Sequence, residues 1–260
     1  MPQPSQLNVA VIGLGSMGYG MATSLKRAGF AVTGCDVSAD AVARFVADGG
    51  KGANSPAEAA AGADIVVSVV VNAAQTEAIL FGPGGAAETM PKDAVFVSSA
   101  TMDPDVARRL AKQLEATGRH YLDAPISGGA QRAAQGELTI LASGSPAAFA
   151  RARPALDAMA AKLYELGDAA GQGAAFKMIN QLLAGVPMAR RKIEQRLGQA
   201  VVAQPFADLL GRMIIGKQEF DGGEAGLRGG REAVEEWMLG EHHREIGGET
   251  GHGASSLKGS

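Results

Sequence analysis

Seven short apolar runs, LNVAVIG, AVTGCDV, DIVVSVVV, AVFVSS, RHYLDA, LTILASG and KLYELG, alternate with alanine-rich stretches as far as Gly167. Runs that are continuously apolar and separated by helical segments predict an α/β fold whose mostly parallel sheet is buried on both faces. Helix punctuation agrees. Asp103 and Pro104 suit the N-cap and first turn of a helix through VARRLAKQLEAT that stops at Gly118, and Ser145 with Pro146 opens another. GDAAGQG then reads as a flexible junction, which predicts a domain boundary near residue 170. PFADLLGRMIIG is compatible with a helix, whereas residues 221–260 are crowded with Gly, Glu, Arg and His. That composition buries too little apolar surface to offset its ordering entropy, and much of 221–260 is expected to be disordered.

Composition narrows the partners. With 260 residues and 46% hydrophobic content, the chain has material for one large or two smaller cores. A formal net charge of −3 provides no broad basic surface for nucleic acid or anionic membranes, so small molecules are the expected partners. Cys35 is the single cysteine, which excludes an internal disulfide and fits a reducing compartment; it reads as a small buried residue at a strand end. MPQPSQLN lacks a basic, apolar leader pattern, and no run approaches the roughly 20 apolar residues of a membrane span. A cytoplasmic location is expected. Glu241, His242, His243, Glu245 and His252 contain metal-ligating types, but a glycine-rich run offers no framework to fix them, and no metal is assigned.

The first chemistry lies in VAVIGLGSMG, where Gly13, Gly15 and Gly18 form GxGxxG between a strand and a helix. In this pattern the first glycine makes the turn, the second admits a pyrophosphate and the third lets helix and strand pack closely. The loop Gly13, Leu14, Gly15, Ser16, Met17 and Gly18 would present helix N-terminal amides to the phosphates. A second strand ends in Asp36, at about the 20-residue offset of a ribose-binding acid. Its carboxylate would accept from a ribose 2′-hydroxyl and repel a 2′-phosphate, and no arginine follows it immediately. A Rossmann-type, doubly wound domain that binds NAD rather than NADP is therefore predicted.

Two further segments carry polar groups suited to a substrate. DAPISGGAQRAAQGELTI places Ser127, Gly128 and Gly129 beyond the C-terminal end of a strand, where ligands of open α/β sheets bind. An anion nest for a carboxylate and an ordinary strand-to-helix turn fit these residues equally. In GAAFKMINQLLAG, Lys177, Asn180 and Gln181 share a helix face at i, i+3 and i+4. On spacing alone a solvated lysine accounts for the pattern; the neighbouring amides add a way of holding a polar substrate within its reach. Alcohol oxidation needs a proton acceptor at the hydroxyl, and a lysine, near pKa 10.4 in water, serves only when burial lowers that value.

GLGSMGYGM, SSATMDP, DAPISGGAQRAAQGEL and GAAFKMINQ together resemble the β-hydroxyacid dehydrogenase family. VVVNAAQTEAILFG and INQLLAGV resemble its L-threonate dehydrogenase branch, and the likeness covers about residues 7–186. The resemblance implies a Rossmann-type NAD-binding domain, residues 1–170, then a helical substrate and dimerisation domain, with homo-oligomers if that domain assembles. By motif, Lys177 would be the catalytic acid/base, and Ser127, Gly128 and Gly129 the substrate-carboxylate turn. Thr101 would sit beside the nicotinamide and substrate; Asn180 ranks ahead of Gln181 as the polar partner of the lysine. The implied reaction is NAD-dependent oxidation of a small hydroxy acid, L-threonate-like or 3-hydroxyisobutyrate-like. Relatives that reduce imines replace the lysine, so Lys177 argues against that chemistry. Past Val186 the family pattern stops: MARRKIEQ and a polar tail stand where further helices and a KDL-containing segment would follow. Residues 171–220 are thus expected to be only the start of the helical domain, the remainder being foreign to the family through a frame change or truncation. A dinucleotide-binding homologue impaired in turnover is the second reading.

Overall fold

The computed structural model describes residues 7–182. Six parallel strands, β1 (Asn8–Ile12), β2 (Ala31–Cys35), β3 (Lys51–Ala53), β4 (Ile65–Ser68), β5 (Val95–Ser98) and β6 (His120–Asp123), pair in the order β3-β2-β1-β4-β5-β6. This is the doubly wound arrangement, in which the strand order reverses beside β1. Alternate residues of the central strands enter opposite cores: Val9, Val11, Val67 and Val97 face one, and Ala10, Ile12, Val66 and Phe96 the other. Burial on both faces explains the continuous apolar runs.

The helices follow their punctuation. α1 (Ser16–Arg27) succeeds β1, and α2 (Ala39–Ala47) and α3 (Pro56–Ala60) flank β3. α4 (Ala73–Phe81) is capped by Asn72, whose side chain accepts from the Gln75 amide at 2.9 Å. That cap ends the DIVVSVVV run early: β4 stops at Ser68, and Val71 is 80% exposed. In α5 (Pro104–Glu115), Asp103 accepts from the Asp105 amide at 2.7 Å, and Ala107, Leu110, Ala111 and Leu114 form the buried stripe.

The last two apolar runs do not extend the main sheet. After β6 the chain runs on through Pro125 into β7 (Ile126–Ser127), and this stretch pairs antiparallel with β8 (Leu138–Ala142), Asp123 opposite Ser143 and Ile126 opposite Ile140, with α6 (Gly129–Gln135) joining the two. α7 (Pro146–Met159) then leads to β9 (Ala160–Glu165), parallel to β8, completing a separate three-stranded sheet β7-β8-β9. The chain turns back through α6, so β8 and β9 run opposite to β6 and stay out of the parallel sheet. Residues 172–182 are helical and are called α8. Of the expected 171–220 and 221–260 divisions, only residues 171–182 lie within the described part, and the histidine-containing run lies outside it. Among the described residues no helix is long and apolar enough to cross a membrane.

Candidate active site

The glycine-rich turn joins β1 to α1 at the carboxyl edge of the main sheet. Gly13 has φ +99°, and a Cβ there would lie 2.9 Å from the Val69 carbonyl carbon. A Cβ on Gly18 would overlap the Gly13 carbonyl oxygen, so α1 begins in direct contact with the turn. Gly15 differs: it is exposed, has φ −65°, and its Cβ would meet nothing within 4 Å. α1 has no side-chain cap and no acidic residue in its first turn, while Lys26 and Arg27 occupy its last. Its first amides and the positive end of its dipole therefore suit an anionic group, and the space over Gly15 admits one. A dinucleotide pyrophosphate fits this loop. Gly15→Ala is expected to leave the melting temperature within about 2 °C of the parent and weaken NADH binding at least about tenfold, measured by thermal unfolding and fluorescence titration.

Asp36, directly after β2, closes the back of the loop. Its Oδ2 accepts from the Leu14 amide at 2.6 Å and its Oδ1 from the Ser38 amide at 2.8 Å. Each carboxylate oxygen keeps capacity for another donor. Leu14 itself is a core side chain, 1% exposed, so the backbone of Leu14 and the apolar core together hold the acid in place. Ser16 is exposed and Met17 half-buried on the first turn of α1. The Cys35 thiol beside Asp36 is buried, and burial pushes its pKa up to about 11, which keeps it protonated and unreactive near neutrality.

The other candidate residues lie at the same edge or on the helix joined to it. Thr101, half-buried, follows β5 by three residues; Ser127, half-buried, forms the end of β7. Gly128 and Gly129, both exposed, have φ +134° and +78° and open α6. Lys177 is 8% exposed on α8, Asn180 is half-buried and Gln181 exposed. The solvated alternative for Lys177 does not hold, since its side chain lies inside. GDAAGQG proves to be a tied corner rather than a flexible junction, because the amides of Gly171, Gly173 and Ala174 bond to side chains of the sheet ends.

Sequence reading passed over the residue that makes this connection. Asp123, at the end of β6, is fully buried, and its Oδ2 accepts from the Gly171 amide at 3.0 Å and the Ala174 amide at 2.8 Å. Burial raises its pKa to about 6, against the lowering influence of the two amides, of Ser143 and of the Arg108 charge. The folded protein thus holds this proton to higher pH than the unfolded chain. Below the unfolded value near 3.8 the group is neutral in both states; as pH rises through about 6, ionisation inside the fold costs on the order of 3 kcal/mol. The only signal in the sequence was an acidic residue ending an apolar strand.

Residues 8–167 match the family described as the NAD binding domain of 6-phosphogluconate dehydrogenase. The chain is 48% identical over 200 residues to L-threonate dehydrogenase of Cupriavidus necator, covering 77% of this chain and 67% of that relative. The chain belongs to the β-hydroxyacid dehydrogenase family. Another member, 3-hydroxyisobutyrate dehydrogenase of Pseudomonas aeruginosa, is 35% identical over 182 residues, covering 70% of this chain and 61% of its own. The crystal structure of a 3-hydroxyisobutyrate dehydrogenase from Salmonella typhimurium superposes with a TM-score of 0.69 at 35% identity, covering 89% of this chain and 88% of that one. In sequence, the chain spans 67%, 61% and 63% of the length of three L-threonate dehydrogenases it matches. The dehydrogenase family therefore accounts for the sheet order and the glycine loop alike.

Proposed function

We propose that the protein is an NAD-dependent dehydrogenase of a small hydroxy acid, L-threonate-like or 3-hydroxyisobutyrate-like, with Lys177 as the acid/base. The observation that carries the proposal is the burial of Lys177 on a helix fastened to the carboxyl edge of a dinucleotide-binding sheet. Bound NAD would supply the hydride acceptor at its nicotinamide. The Lys177 amine takes the proton of the substrate hydroxyl, Ser127 with the Gly128 and Gly129 backbone binds the carboxylate, and Asn180, ahead of Gln181, holds a neighbouring substrate oxygen. Thr101 lines the junction between nicotinamide and substrate. Names of relatives support the hydroxy-acid class, since L-threonate and 3-hydroxyisobutyrate dehydrogenases both match.

The test is formation of NADH with L-threonate, 3-hydroxyisobutyrate and glycerate as separate substrates. Tight NADH binding without turnover of any of them would reject the enzyme and leave a dinucleotide-binding module. For the cofactor, Asp36 supports NAD, because its carboxylate offers acceptors to a 2′-hydroxyl and repels a 2′-phosphate. Preference for NAD over NADP is expected to be at least about tenfold in kcat/KM, and Asp36→Ala to narrow it. Equal use of both cofactors by the parent would remove the role given to Asp36.

A further inference from the structure

We propose that Asp123 is a positioning residue for Lys177, a role that rests on the acid/base reading of that lysine. α8 is preceded by Gly171, which has no side chain with which to cap it. Its leading amides are instead satisfied from distant strands: Gly171 and Ala174 donate to Asp123 Oδ2 at 3.0 and 2.8 Å, and Gly173 donates to Ser143 Oγ at 2.9 Å. Ser143 Oγ in turn donates to Asp123 Oδ2 at 3.4 Å. The two capping residues are fastened to each other by their backbones, the Asp123 amide to the Ser143 carbonyl at 3.0 Å and the reverse bond at 2.8 Å. Both are fully buried, and a Cβ on Gly173 would stand 2.9 Å from the Asp123 carbonyl oxygen, so the first turn of α8 rests directly on the end of β6.

Lys177 follows Gly173 by four residues and Ala174 by three, which puts it on the same helix face, roughly 5 Å further along the axis. Whatever fixes the first turn therefore fixes the lysine. A carboxylate suits the task because charge-assisted bonds to helix N-terminal amides are stronger than neutral ones, and the helix dipole adds to them. Cutting these bonds frees the first turn to shift, and a displacement of about 1 Å at a reacting group costs about a hundredfold in rate.

The experiment compares the full chain with Asp123→Ala, Asp123→Asn and Ser143→Ala in three readouts: steady-state kinetics, amide hydrogen exchange, and the labelling rate of Lys177 by trinitrobenzenesulfonate. Asp123→Ala is expected to lower kcat about a hundredfold while KM for NAD stays within about twofold. Exchange in a peptide covering 171–182, and labelling of Lys177, are expected to accelerate at least about tenfold with peptides from β1 and α1 unchanged. Asp123→Asn, which retains an acceptor oxygen, is expected to recover kcat to within about tenfold of the parent. A kcat within about threefold of the parent for Asp123→Ala, or acceleration spread equally over β1 and α1, overturns the proposal. Should Asp123→Ala fail to fold, Ser143→Ala decides, with faster exchange confined to 171–182 supporting the role and a parent-like pattern rejecting it. If the parent oxidises none of the hydroxy acids, the acid/base reading alone fails, and Lys177 labelling with exchange settles whether Asp123 holds the helix.

Discussion

Lys177→Ala is expected to lower kcat by about a hundredfold to ten-thousandfold with the Kd for NADH within about twofold of the parent. The split follows from where the residue lies. Cofactor contacts are expected from the β1–α1 turn and Asp36, whereas Lys177 belongs to α8 and would meet the substrate hydroxyl. Two other titratable groups, both on β6, are poorly placed for the role. His120, the sole histidine among the described residues, starts β6 at the opposite, amino end of the sheet and lies 3.9 Å from Asp93. Asp123 has Oδ2 committed to two amides and is closed off from solvent. Lys177→Arg retains a cation, but a guanidinium does not give up its proton to serve as a base, so it is expected to be as slow as the alanine variant. Steady-state rates with the best hydroxy acid, beside NADH fluorescence, check both variants. Turnover of Lys177→Ala within about tenfold of the parent would assign the proton transfer elsewhere.

The second large effect concerns folding. Gly18→Ala is expected to destabilise the protein by at least about 3 kcal/mol and lower its melting temperature by roughly 10 °C, or leave it insoluble. The added methyl group would occupy the place of the Gly13 carbonyl oxygen and also lie 3.2 Å from Val69 Cβ. Neither neighbour yields easily: Gly13 is held by a bond from its amide to the Cys35 carbonyl at 2.8 Å, and the Val69 amide donates to the Ile12 carbonyl at 2.8 Å. Gly15→Ala, three positions earlier, carries the opposite expectation, with folding intact and cofactor binding impaired. Thermal unfolding and NADH titration of the pair separate a packing glycine from a ligand-approach glycine within one motif. A parent-like melting temperature for Gly18→Ala would show that the turn adjusts where the structure has it rigid.

What could be read from the sequence was what local pattern encodes. The β1–turn–α1 unit and Asp36 at the end of β2 are contiguous, and each carries its own cue: an apolar run, spaced glycines, an acid at a fixed offset. Asp103 and Ser145 were legible as caps because both accept from amides within three residues of themselves. β3 was missed because Lys51, Gly52 and Ala53 form a short edge strand with no apolar run to mark it. β8 and β9 were legible as strands but not as members of a second sheet, since the antiparallel pairing of Ile126 with Ile140 depends on the way the chain turns back through α6. The hardest feature was the cap on α8. Its donors and acceptor stand 48 and 51 residues apart, and a glycine-rich segment tied down by such bonds has the composition of a linker.

That distant cap also sets the order in which the protein can assemble. A helix whose first turn has no side-chain cap of its own is weakly held in isolation, and α8 gains the acceptors for its leading amides when β6 and β8 bring Asp123 and Ser143 together. Closing loops of this length precedes any reward from the contacts they make. The lysine helix is consequently expected to dock late in folding, onto a sheet already formed. A nascent or half-folded chain carries its buried amine in the open, and acquires a shielded one only at the end.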